Sequence, residues 1–228
     1  MTSVIPAQAG SQGVRICLLG AESTGKSTLA LEIAAHLARH SLQAAAVPEV
    51  LREWCKRAGR APRPEEQLAI AQEQEDRVEL AARAARIVIA DTSALMVAIY
   101  AGMLFDDGAL YRFALERQER YDLTLVTGLD LPWVPDGLQR DAAHAREEVD
   151  ALVRTHLQRA GIPFQVVYGS GGQRLRSALA AMQAAGMVPA AVLEREEDRQ
   201  RRWTGACEKC SDPDCEHRLF TQLREGRG

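Results

Sequence analysis

Short, continuously apolar segments alternate along this chain with segments whose apolar residues recur every three or four positions. The first kind predicts strands buried on both faces, and the second predicts amphipathic helices. The predicted strands cover residues 14–19, 44–47, 87–90, 123–126 and 164–168. Because helices separate them, the pattern indicates an α/β fold, with about five parallel strands covered by helices on both faces.

The helical segments are recognised by their periodicity. In the first of them, Leu29, Ile33 and Leu37 recur at intervals of four, and a longer one starts at Pro64 and ends near Arg86. Further helices are predicted at residues 94–103, 109–120, 145–160 and 173–185.

Composition excludes several classes of protein. With 28 Lys and Arg against 31 Asp and Glu, the net charge is −3, which does not suit a basic nucleic-acid-binding protein. No run approaches the roughly 18 to 20 apolar residues that a membrane span needs, and no basic start with an apolar run marks a secretory signal. We therefore expect a cytoplasmic protein without a membrane or nucleic-acid partner.

The segment from Gly20 to Ser27 reads G-A-E-S-T-G-K-S and fits the phosphate-binding pattern G-x4-G-K-[S/T]. It lies between a predicted strand and a predicted helix, which is the context this loop requires. Backbone N–H groups of such a loop point inward, and the N-terminus of the following helix adds partial positive charge. Lys26 would reach the β- and γ-phosphates of ATP, and the Ser27 hydroxyl would bind Mg²⁺. The alternative is a chance match in a glycine-containing turn.

The loop and the start of its helix supply the expected ATP-binding residues. These are Gly20, Glu22, Ser23, Thr24, Gly25, Lys26, Ser27 and Thr28.

Two acidic residues follow predicted strands. Asp91 comes directly after the apolar run 87–90, where a second Mg²⁺ ligand is expected, although it could instead cap the next helix. Glu49 follows the second strand, where it could accept a proton from a substrate hydroxyl. The alternative for Glu49 is a surface carboxylate paired with Arg52, one turn further along any helix that begins there.

A loop rich in Pro, Gly and Asp follows the fourth strand and carries Trp133, Asp136 and Arg140, with Arg146 on the next helix. This composition suits a lid over the phosphates. Arg140 or Arg146 could neutralise developing charge there. Trp133 could contact a substrate ring or pack against the core.

These segments together resemble the ribosylnicotinamide kinase domain of the NadR regulator family. The matching segments are G-A-E-S-T-G-K-S-T-L at 20–29, P-E-x-x-R-E at 48–53, A-D-T at 90–92 and L-P-W-V-x-D-G-x-x-R at 131–140. The resemblance spans residues 14–185. It implies ATP-dependent phosphorylation of the 5′-hydroxyl of nicotinamide riboside, with aromatic residues stacking on the nicotinamide ring. None of the five histidines forms an H-x-G-H nucleotidyltransferase signature, so adenylyl transfer is not expected.

The C-terminal segment carries a C-x2-C-x4-C-x-H pattern, which suits a tetrahedral, structural zinc site. Its four candidate ligands are Cys207, Cys210, Cys215 and His217. Unpaired thiols, or a redox pair formed by the first two cysteines, are the alternatives. The predicted domains are a flexible leader at 1–13, a P-loop kinase-like domain at 14–188, and a charged linker with the Cys-rich tail at 189–228.

The sequence thus predicts a P-loop NTPase fold of the nucleoside and nucleotide kinase type, and an ATP- and Mg²⁺-dependent kinase of nicotinamide riboside or a similar nucleoside. The candidate catalytic residues are Lys26, Glu49, Asp91 and Arg140, and the candidate acceptor contacts are Glu49, Arg52, Trp133 and Asp136. A regulatory ATPase without a small-molecule acceptor is the alternative. The sequence does not decide whether Glu49 or Asp91 is the base, and it does not decide whether the chain forms a homo-oligomer.

Overall fold

The structure is a computed structural model that describes residues 12–104, 108–133 and 142–193. The chain divides into two compact units, Met1–Val188 and Pro189–Gly228. Of the second unit, the described part contains a short 3-10 helix at Ala190–Val192. Most of the predicted leader and the whole Cys-rich segment lie outside the described residues.

The first unit contains five strands and seven helices among its described residues. The strands are β1 (Val14–Leu19), β2 (Ala44–Val47), β3 (Ile87–Asp91), β4 (Leu123–Thr127) and β5 (Gln165–Val167). The helices are α1 (Lys26–Arg39), α2 (Val50–Ala58), α3 (Pro64–Ala84), α4 (Ala94–Leu104), α5 (Gly108–Gln118), α6 (Ala142–Arg159) and α7 (Gly172–Ala184).

All the strand pairs are parallel, and the strand order is β2-β3-β1-β4-β5. Every residue of β3 and of β4 is buried, as expected where helices cover both faces of a sheet. The prediction of an α/β fold with a parallel sheet of about five strands is confirmed. No helix among the described residues is both long and apolar enough to span a membrane.

The order of the strands brings the candidate site together. Because β1 lies between β3 and β4, the loop after β1 is flanked by the carboxyl ends of both neighbours. Leu18 pairs with Asp91, and Leu19 pairs with Val126. In a parallel sheet all carboxyl ends meet at one edge, where ligands bind.

Helix α3 departs from a simple amphipathic pattern. Its apolar residues Leu68 and Leu80 are 44% and 66% exposed. The buried face includes three polar side chains instead, those of Gln67, Gln74 and Glu75. Two of these accept hydrogen bonds from the starts of α2 and α4, which explains why polar groups are tolerated inside.

Candidate active site

The loop between β1 and α1 depends on two glycines with left-handed backbone. Gly20 has φ +139°, and a Cβ placed there would lie 2.3 Å from the Thr127 hydroxyl on β4. Gly25 has φ +77° and is the N-cap of α1. Other residues adopt such backbone angles only with strain, so the G-x4-G spacing reflects a fold requirement of the loop.

Lys26 is buried beneath this loop and is 5% exposed. Its Nζ donates to the carbonyl oxygens of Gly20 at 2.8 Å and Ala21 at 2.7 Å. Burial lowers the pKa of the Lys26 ammonium below its ordinary value. Carboxylates of three nearby acids oppose that shift, namely Glu49, Asp91 and Glu22. The residues predicted from two strand ends thus lie within electrostatic reach of one another.

Thr24 is a structural member of the loop in this conformation. Its hydroxyl donates to the Ala21 carbonyl at 2.8 Å and accepts from the Thr127 hydroxyl at 2.7 Å. Thr127 is the last residue of β4, and its hydroxyl oxygen also lies 3.1 Å from the Leu19 carbonyl oxygen. These bonds tie the loop to two adjacent strands.

Arg52 joins Glu49 to the phosphate-binding loop. Its Nη2 lies 3.0 Å from Glu49 Oε2, and its Nη1 donates to Ser27 Oγ at 3.0 Å. Glu49 is 7% exposed and is the N-cap residue of α2, which begins at Val50. The ion pair that the spacing suggested therefore forms, but it faces the loop rather than solvent.

Asp91 is the last residue of β3 and is 4% exposed. Its Oδ1 has no hydrogen-bond partner among the described residues. The start of α4 is capped by other groups, because Leu95 N donates to Ser93 Oγ at 3.2 Å and Ala94 N donates to Glu75 Oε1 at 2.7 Å. An unpaired buried carboxylate oxygen at this position suits a cation such as Mg²⁺.

The residue after Asp91 has an uncommon backbone conformation. Thr92 has φ +76°, which is rare for a β-branched residue, and its N–H donates to the Leu18 carbonyl at 3.1 Å. This turn directs the chain from β3 into α4. Strain of this kind persists where the surroundings hold it in place, often at functional sites.

The predicted lid is described only in part. Trp133 is 39% exposed, while Asp136 and Arg140 lie outside the described residues. The other predicted arginine, Arg146, is buried, and its Nη2 donates to the Leu131 carbonyl at 3.1 Å. A Cβ placed at Gly25 would lie 3.2 Å from Leu131 Cδ1, so the Leu131 side chain lies beside the phosphate-binding loop.

Sequence reasoning missed Arg174 on α7, which is 3% exposed. Its guanidinium donates to the carbonyls of Thr24 and Gly169, both at 2.7 Å, and to the Asp130 carboxylate. Asp130 also accepts the Gly169 N–H at 2.6 Å. Arg174 therefore ties the phosphate-binding loop to the loops after β4 and β5. No local motif marks it, because its partner Thr24 is 150 residues away.

The described residues contain no group of three or more His, Cys, Asp or Glu side chains placed to hold a metal ion. A magnesium site with one carboxylate, one hydroxyl and phosphate oxygens needs no such group. The four candidate zinc ligands, Cys207 to His217, lie outside the described residues.

A sequence profile described as an AAA domain, AAA_28, matches residues 15–174. A search of curated protein sequences finds no match. Among solved structures, NadR in complex with NAD and AMP-PNP is 20% identical with a TM-score of 0.62, and NadR in complex with NR is 20% identical with a TM-score of 0.64. The matches cover 80% of this chain and 51% and 52% of those chains, so the chain spans about half the length of NadR.

Two kinases have the same fold at lower similarity. Deoxyadenosine kinase from M. mycoides is 14% identical with a TM-score of 0.53, covering 75% of this chain and 100% of that one. Thymidylate kinase from Ehrlichia chaffeensis is 14% identical with a TM-score of 0.52, covering 76% and 99%. The NadR resemblance drawn from short motifs is thus confirmed at the level of the fold.

Proposed function

Because the chain belongs to the AAA_28 family of AAA domains and shares its fold with P-loop kinases, we propose that it is an ATP- and Mg²⁺-dependent small-molecule kinase. The proposed acceptor is the 5′-hydroxyl of nicotinamide riboside or of a similar nucleoside. The lid motif at 131–140 and the fold shared with NadR, solved in complex with NR, support this choice.

One observation carries the proposal. Arg52 contacts both the Glu49 carboxylate and the Ser27 hydroxyl, each at 3.0 Å. The Arg52 side chain therefore links the phosphate-binding loop to Glu49, a buried carboxylate in the segment that follows β2. A hydroxyl that donates to Glu49 would be beside the γ-phosphate held by that loop, which is the geometry that phosphoryl transfer to an alcohol requires.

The chain's own residues have separate roles in this proposal. Lys26 and the backbone N–H groups of the loop bind the phosphates, with Lys26 exchanging its carbonyl partners for phosphate oxygens. Ser27 and Asp91 would hold Mg²⁺, which when bound neutralises charge on the phosphate oxygens. Glu49 accepts the proton of the acceptor hydroxyl. Arg140 is assigned to the lid, where its guanidinium would neutralise the charge that develops on the phosphates.

Fewer contacts support the assignment of the residues that bind the acceptor. Arg52 is one-third exposed and Trp133 is 39% exposed, so both side chains are accessible to a ligand. We assign Trp133 to contact with a planar ring, and Arg52 and Asp136 to polar groups of the acceptor.

The test measures ADP and phosphorylated acceptor together, using purified protein, ATP, Mg²⁺, nicotinamide riboside and a panel of nucleosides. We expect equal amounts of both products with one preferred acceptor. Glu49→Gln should lower the rate by at least about 100-fold because the base is lost. The matched control is Glu53→Gln on the same helix, an exposed carboxylate paired with Arg77, which should leave the rate within about twofold.

The alternative makes a different prediction. A regulatory ATPase would bind ATP but form no phosphorylated acceptor. Glu49→Gln and Glu53→Gln would then have equal effects on the amount of ADP released. The absence of phosphorylated product with every nucleoside of the panel would overturn the kinase proposal.

A further inference from the structure

The buried face of α3 carries two adjacent polar residues, Gln74 and Glu75, which are 1% and 8% exposed. Consecutive residues on a helix point in directions about 100° apart, so the two side chains contact different parts of the molecule. Buried polar groups of this kind are costly unless they form hydrogen bonds. Their partners therefore indicate why they are placed there.

Gln74 contacts the start of α2. Its Oε1 accepts the Val50 N–H at 2.9 Å, and Val50 directly follows Glu49. The first N–H groups of a helix have no partner within the helix, and Glu49 makes no side-chain cap hydrogen bond of its own. The donor is a backbone N–H, so the amide oxygen, not the nitrogen, must face it.

Glu75 contacts the start of α4. Its Oε1 accepts the Ala94 N–H at 2.7 Å, and Ala94 lies three residues after Asp91. Its Oε2 accepts the Tyr121 hydroxyl at 3.1 Å. The carboxylate is therefore held at both oxygens, and the short segment from Asp91 to Ala94 is anchored at its far end.

We infer that Gln74 and Glu75 are positioning residues which hold Glu49 and Asp91 in register with each other through one rigid helix. This inference rests on the proposed function, in which Glu49 is the base and Asp91 binds Mg²⁺. The two strand-end acids belong to different loops. They share α3 as a common support, because adjacent residues of that helix bond to the backbone of Val50, next to Glu49, and of Ala94, three residues after Asp91.

The two side chains should have separate effects on catalysis and on Mg²⁺ binding. Loss of the Gln74 oxygen releases the backbone next to Glu49 and should lower kcat for the acceptor, with little change in Mg²⁺ dependence. Loss of the Glu75 carboxylate releases the turn after Asp91 and should raise the Mg²⁺ concentration needed for nucleotide binding. Supporting groups of this kind change metal affinity or activity by about 10- to 100-fold.

Matched variants separate positioning from general stability. Gln74→Met and Glu75→Met keep the length of the side chain but remove its acceptors, while Gln74→Glu and Glu75→Gln keep an acceptor oxygen. Gln67→Met is the control, since Gln67 is equally buried on α3 but its Nε2 donates to the Pro62 carbonyl at 3.3 Å, away from both acids.

Three measurements are made on the full chain. The first is the split between kcat and KM for the acceptor, and the second is AMP-PNP binding by calorimetry over a range of Mg²⁺ concentrations. The third is hydrogen exchange of the peptides that cover residues 49–53 and 92–96. Gln74→Met should lower kcat about tenfold and speed exchange only at 49–53. Glu75→Met should raise the Mg²⁺ requirement about tenfold and speed exchange only at 92–96.

The acceptor-retaining variants should recover most of each loss, and Gln67→Met should change neither parameter. Equal effects of the two methionine variants on both parameters, or equal effects from Gln67→Met, would overturn the inference. If the wild-type protein phosphorylates no acceptor, the proposed function fails. The exchange and Mg²⁺ measurements then still decide whether the two residues hold the two turns separately.

Discussion

Replacing Arg174 by Met tests whether the three loops of the site are held by one buried guanidinium. The substitution keeps the hydrophobic stem but removes the donors to the carbonyls of Thr24 and Gly169 and to the Asp130 carboxylate. Arg174 itself is 3% exposed, so water cannot readily replace the lost donors at Thr24. The protein should become less stable and bind nucleotide more weakly.

The magnitude follows from the exposure of each partner. A hydrogen bond from a charged donor contributes about 1.5–3 kcal/mol, and the buried Thr24 carbonyl should lose about 2 kcal/mol. Gly169 and Asp130 are partly accessible to water, so each should lose about 1 kcal/mol. Burial of the Met side chain offsets about 1 kcal/mol of the total. The expected net loss is therefore about 3 kcal/mol, a large share of the roughly 5–15 kcal/mol that stabilises a typical protein.

The assay is urea unfolding followed by far-UV circular dichroism, together with AMP-PNP binding by calorimetry. A loss of about 3 kcal/mol moves the urea midpoint by about 1 M or more. Arg176→Met is the control, because Arg176 lies on the same helix, is exposed, and should change stability by less than about 0.5 kcal/mol. Arg174→Lys should fall between the two, since lysine keeps the charge without the planar fork.

A loss of less than about 1 kcal/mol in Arg174→Met, together with unchanged affinity for AMP-PNP, would refute this role of Arg174. That result would mean that the loops hold their positions without the guanidinium. A loss of stability with unchanged affinity would refute only the link to the phosphate-binding loop.

Buried groups and the C-terminal cysteines provide four further tests. Burial raises the pKa of Glu75 above its ordinary value of 4.5, so the folded protein binds this proton more tightly than the unfolded chain. Unfolding measured by denaturant should show wild-type stability falling relative to Glu75→Gln as pH rises above 4.5. Cys17 is fully buried and burial raises the pKa of its thiol, so peptide mass spectrometry should find it unmodified by iodoacetamide until the protein unfolds. Lys26→Ala should abolish AMP-PNP binding in calorimetry while leaving the far-UV spectrum unchanged. Elemental analysis should find one zinc ion per chain, and Cys207→Ser with Cys210→Ser should remove it.

Local patterns in the sequence were sufficient for the five strands, for six of the seven helices of the first unit's described residues, and for the phosphate-binding loop. They did not predict α2 at Val50–Ala58, which entered only as any helix that begins after Glu49. The bounds of β1 and β2 agree with their apolar runs, residues 14–19 and 44–47. Most residues of both segments are apolar, although β1 contains Arg15 and the first three residues of β2 are only partly buried. This local property is visible without knowing the neighbouring strands. The G-x4-G-K-S motif is equally local, because the turn, the lysine and the helix start all lie within eight consecutive residues.

Tertiary structure alone decided which groups support the site. The strand order places β3 and β4 beside β1, and the apolar runs by themselves are compatible with other orders. Arg174 reaches Thr24 across 150 residues, and Gln74 and Glu75 reach Val50 and Ala94 across 24 and 19 residues. Periodicity and motifs report only on neighbours along the chain. Hydrogen bonds between distant residues form only after helices and strands pack, so their partners emerge from the folded chain.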